Sequence, residues 1–72
     1  LVAKGKYKVE LIGNAQMIKA HDDAVVEVDG KVANAVTLDS SEIYASGRIK
    51  RKRQFGESTI KDYDPSLSPY EL

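Results

Sequence analysis

Gly13, Gly30 and Gly47 stand seventeen residues apart, and a fixed period of that length restricts a short chain to repeated units that pack on one another. Four residues before each glycine is a β-branched residue, Val9, Val26 and Ile43, and Ile60 continues the series. The polar triplets His21-Asp22-Asp23, Asp39-Ser40-Ser41 and Gly56-Glu57-Ser58 fall in step. The series stops at Asp64, where a fourth glycine would be due. Each unit therefore reads as a short strand, a glycine turn, a longer strand and a polar turn.

Local patterns agree that the elements are strands. Lys6 to Leu11 alternates polar and apolar residues, which puts Tyr7, Val9 and Leu11 on one face. Residues 14–20 have room for two helical turns, and Asp39 with Glu42 has the spacing of a capping box. Gly47 follows too closely for a helix in the second place, and strands are expected in both. The glycine turns admit hairpins with three-residue loops and Gly30 left-handed. Glu27 would then face Lys31, and Val26 would face Val32. The same geometry at Ala45-Ser46-Gly47 pairs Tyr44 with Arg48, Ile43 with Ile49 and Glu42 with Lys50.

The expected fold class is all-β, a small meander of β-hairpins curled into a sheet or barrel, with a short β-solenoid as the alternative. Val26-Glu27-Val28-Asp29-Gly30-Lys31-Val32 is similar in grammar to rungs of bactofilin-like β-solenoids, over two units. That resemblance implies one repeat per rung. Strict alternation from Ile49, however, turns Arg51 and Arg53 inward, where a rung needs small or apolar residues. On that ground the meander leads.

Residues 1–62 are expected to form one β-rich domain. The tail from 63 to 72 carries Pro65 and Pro69 and reads as irregular. Its Leu67, Tyr70 and Leu72 are candidate assembly residues, suited to packing on the domain or on a neighbouring subunit. The 72-residue chain has no cysteine, so neither disulfides nor thiolate metal sites staple a fold this small. A compact unaided core or association with other copies must do that job instead, and a homo-oligomer is expected. The longest apolar runs, such as Ala24-Val25-Val26, are too short for a membrane span, and no signal-peptide pattern is present, so a soluble chain is expected.

The net charge is zero, but the charges are segregated. Asp22, Asp23, Glu27, Asp29, Asp39 and Glu42 fall in one block with Lys31 alone among them, whereas Arg48, Lys50, Arg51, Lys52 and Arg53 are nearly contiguous. As a strand, that basic run carries cations on both faces. It must be an edge or a projecting ribbon, because burying unpaired cations costs several kcal/mol each. One reading is a ribbon that tracks phosphates, with Phe55, and Tyr44 beside Arg48, as stacking platforms. Others are an acidic protein partner, or an edge strand kept from aggregating by its charge.

His21-Asp22-Asp23 lacks a second histidine and reads as a polar turn rather than a metal site. No nucleophile is paired with a base, and no glycine-rich loop cradles phosphate, so neither an enzyme nor a bound cofactor is expected. The leading functional expectation is a small β module that binds nucleic acid through residues 48–55. A self-associating structural protein of a virion, filament or complex is the alternative, and an enzyme inhibitor acting through a protein interface is the third.

Overall fold

The computed structural model describes residues 1–62. They form β1 (Val2–Ala3), β2 (Lys8–Ile12), β3 (Ala15–Ala20), β4 (Val25–Asp29), β5 (Val32–Thr37), β6 (Glu42–Ala45), β7 (Ile49–Gln54) and β8 (Thr59–Asp62). Odd strands make one sheet in the order β1-β3-β5-β7, and even strands make the other in the order β2-β4-β6-β8. Every neighbouring pair is parallel. The chain thus crosses between sheets at each turn and climbs one rung per repeat, a β-solenoid of about four turns.

Register accounts for the period. Val26 lies beside Val9 on one side and Ile43 on the other, and Ile43 beside Ile60. Each residue stacks on its own equivalent seventeen positions away. Adjacent rungs are about 4.8 Å apart, so each column of equivalents forms a continuous ladder up the stack. The inward columns supply the core: Ile18, Ala20, Ala24, Val26, Val28, Val32, Ala35, Ile43 and Ile49 are all buried.

The all-β class holds, and so does the solenoid. The hairpin pairing does not. Val26 does not face Val32, nor Tyr44 Arg48, because the strands on either side of each glycine turn belong to different sheets. Complementary neighbours such as Glu27 and Lys31 could not decide the matter, because charged side chains in two outward columns look the same to a hairpin and to a rung.

The objection from Arg51 and Arg53 fails for a local reason. Along β3, Ala15 faces in, Gln16 and Met17 both face out, and Ile18 returns to the core. The paired register skips Gln16 and Ala33 at the same place. This corner shifts the alternation by one residue in each odd strand. Arg51 and Arg53 consequently stand exposed, while Lys52 takes the column of Ile18 and Ala35.

The turns explain the remaining columns. A Cβ on Gly30 would lie 2.3 Å from the carbonyl oxygen of Gly13, closer than any side chain tolerates, so this column needs glycine for close approach of backbones. At the opposite turn Asp22 and Asp39 take left-handed backbone, φ 60° and 61°. Aspartate accepts that conformation better than most residues. Its carboxylate is used as well: the Gly5 amide donates to Asp22 Oδ2 (3.2 Å), and the Asp22 amide donates to Asp39 Oδ2 (3.3 Å). Acids of the polar triplets thus tie one rung to the next.

Gly30→Ala should destabilise the fold by at least about 2 kcal/mol in urea unfolding followed by circular dichroism. Gly13→Ala, where a Cβ meets nothing within 4 Å, should cost less.

Candidate functional site

The column arrangement sorts charge around the cross-section. The odd-strand sheet with its flanking turn residues comprises residues 1–4, 14–21, 31–38 and 48–55, and this arc holds no aspartate or glutamate. It does hold Lys4, Lys19, Lys31, Arg48, Lys50, Arg51, Lys52 and Arg53. All the carboxylates among the described residues lie on the other arc: Glu10, Asp22, Asp23, Glu27, Asp29, Asp39, Glu42, Glu57 and Asp62. All eight arc cations are exposed, and seven of them, all but Lys52, have no ion-pair partner among the described residues.

β7 is the last strand of its sheet among the described residues, so the expectation of a basic edge strand agrees with its placement. It presents Lys50, Arg51 and Arg53 on its outer side, and Arg48 precedes it in the glycine turn. Lys31 stacks under Arg48, and Asn34 and Val36 under Arg51 and Arg53. Unshielded cations close together in this way raise the local potential and attract anions.

The corner divides the face into two shallow notches. The first, of ≈ 380 Å³, is lined by Lys31, Arg48 and Lys50 with the amides of Asn14 and Gln16, over Ala15, Val32 and Ala33. The second, of ≈ 240 Å³, is lined by Arg51 and Arg53 with Asn34, over Met17, Ala35 and Val36. Sequence reasoning centred on the basic run missed Lys31, Asn34 and Met17. The repeat itself was the signal that could have found them, since each precedes a residue of the run by seventeen or thirty-four positions.

Three expected site residues take different places. Lys52, though exposed, is ion-paired where its neighbours are not: its Nζ lies 2.5 Å from Asp62 Oδ1. Asp62, at 10% side-chain exposure, stands in the inward column of Val28 and Ala45 and also accepts the Ile49 amide at 2.7 Å. This pair ties β7 to β8. Tyr44 does not lie beside Arg48 but on β6, in the opposite sheet. Its hydroxyl donates to Glu42, and its pKa is raised above the usual 10.0 by that hydrogen bond first, then by desolvation and by the charges of Glu42 and Glu27. Phe55 is half exposed, in the turn that follows β7. The assembly residues Leu67, Tyr70 and Leu72 lie outside the described residues.

His21, Asp22 and Asp23 form the turn between β3 and β4, and Asp22 is occupied by the Gly5 amide. No helix among the described residues is long and apolar enough to cross a membrane. No protein-family model matches the chain, and no curated protein or solved structure matches it.

Lys52→Ala should lower stability by about 1 kcal/mol, because it removes the ion pair to Asp62, which keeps the hydrogen bond from the Ile49 amide. Arg53→Ala, one residue on, should stay within about 0.5 kcal/mol. Parallel denaturant titrations of the two variants distinguish the ion-paired cation from the unpaired one.

Proposed function

We propose that this protein is a non-enzymatic binding module that engages nucleic acid through the face of the odd-strand sheet centred on β7. The observation that carries the reading is the acid-free arc, on which seven exposed cations have no carboxylate among them. Stacked rungs hold those cations on a rigid surface, so little ordering entropy is lost when phosphates replace their counterions. Arg48, Lys50, Arg51 and Arg53 are the phosphate ligands, and three of the four are arginines whose planar fork suits phosphate oxygens. Lys31 extends the same surface one rung down. Phe55, exposed at the end of β7, serves as a stacking platform.

The zero net charge does not oppose this reading, because the carboxylates among the described residues, apart from Asp62 beside Lys52, lie off this face and are screened over about 8 Å at physiological salt. Four phosphate contacts predict a log–log salt slope of about −2.8 on a single strand and about −3.6 on duplex DNA. In fluorescence-anisotropy titrations at several salt concentrations, Arg51→Ala with Arg53→Ala should weaken binding and reduce the single-strand slope by about 1.4. The variant should keep the far-UV spectrum and melting curve of the parent. Absence of binding at low salt would rule the reading out.

A different observation favours self-association as a second reading. Ile12 is 86% exposed and Tyr7 71% exposed, both beside β2, which is the outer strand of its sheet among the described residues. An open strand edge with apolar side chains invites pairing with another copy. In that case sedimentation velocity should give a mass above that of one chain, and Ile12→Lys should return it to the monomer.

A further inference from the structure

The two notches differ in chemistry, and the difference is informative beyond the charge of the face. The first collects three cations and two amides around a small apolar floor. Every polar group there suits phosphate or sugar oxygens. The second has the flexible thioether of Met17, 46% exposed, with Val36 and Ala35 as an apolar floor. Two guanidinium planes and one amide surround it. Asn34 is held in place by its Nδ2, which donates to the Gln16 carbonyl at 3.3 Å, and this leaves Oδ1 as an acceptor. An apolar floor, planar cations and a fixed amide suit the face and edge of a nucleobase.

The notches are close enough for one ligand unit to span them. Lys50 and Arg53 are three residues apart on one strand, about 10 Å, comparable with the reach of a nucleotide from phosphate to the far edge of its base. We propose that one nucleotide of a single strand spans the corner, its phosphate in the notch of Lys31, Arg48 and Lys50 and its base in the notch of Met17 and Asn34, where Arg51 and Arg53 flank the base with their planes and reach the next phosphate with their outer N–H groups. The proposal rests on the nucleic-acid reading above and narrows it to unpaired strands. A duplex offers this face only its phosphates. Bases stacked inside a duplex present only their edges in the grooves, so none can lay its face on the floor of the second notch.

The test uses labelled oligo(dT) of about 12 nucleotides, an abasic strand with the same number of phosphates, and a duplex of equal length. Oligo(dT) should bind roughly tenfold more tightly than the abasic strand, the effect expected from stacking one base. Met17→Ala with Asn34→Ala should abolish that preference and leave the salt slope unchanged, since no charge is removed. Lys31→Ala with Lys50→Ala should do the reverse, reducing the slope by about 1.4 on both single strands while the preference for bases survives. Equal binding of oligo(dT) and the abasic strand would overturn the base notch and leave the nucleic-acid reading standing. Failure to bind any of the three at low salt would overturn both. Should a variant not fold, the comparison of oligo(dT) with the abasic strand on the unaltered protein still decides.

Discussion

The structure depends on one constraint: each backbone strand must hydrogen-bond in parallel to its own equivalent one repeat away. In the sheets no residue is paired off register, from Val2 beside Lys19 to Ala45 beside Asp62. A side chain chosen at one position therefore has the corresponding choices directly above and below it. This is why the apolar core can be built from alanine, valine and isoleucine, joined by the buried hydroxyls of Thr37 and Ser41, with no aromatic among the buried described residues. Stability in such a stack is the sum of rung-to-rung interfaces rather than the product of one centre.

Stacking also governs electrostatics. Like charges placed in one column would repel across about 4.8 Å, and the columns deal with this in different ways. At the polar turn Asp22 and Asp39 offset it by accepting backbone amides from the rung before. On β2 and β4, Lys8 lies 3.3 Å from Glu27 and 3.8 Å from Glu10, and so bridges two carboxylates in neighbouring rungs. On the odd-strand sheet no such compensation is present among Lys31, Arg48, Lys50, Arg51 and Arg53. Carboxylates are used where they satisfy the fold, and uncompensated cations collect on the face that the fold leaves free.

Much of this was legible in the residues. The seventeen-residue spacing of Gly13, Gly30 and Gly47, the β-branched column at Val9, Val26, Ile43 and Ile60, and the polar triplets all correspond to features of the rung. What could not be read was the partner of each strand, because a hairpin and a solenoid rung share the same sequence grammar of strand, glycine turn and strand. The corner at Gln16, Ala33 and Lys50 was equally hidden. Two successive outward residues break the two-residue period, and counting through that break turned Arg51 and Arg53 inward and Lys52 outward. Tyr44 was placed beside Arg48 by the same hairpin assumption. The basic edge itself was recoverable, since no other place in a sheet accommodates so many cations.

The pairing of Lys52 with Asp62 changes the character of two inward columns along the stack. Below it, their two columns are filled by Ile18, Ala35, Val28 and Ala45, any of which a further rung could cover. Above it, another apolar rung would have to seal both charges away from water, and the desolvation of such a pair commonly outweighs its attraction. The inward columns thus admit charge at this rung as a matched pair, a rule of composition that register alone does not impose.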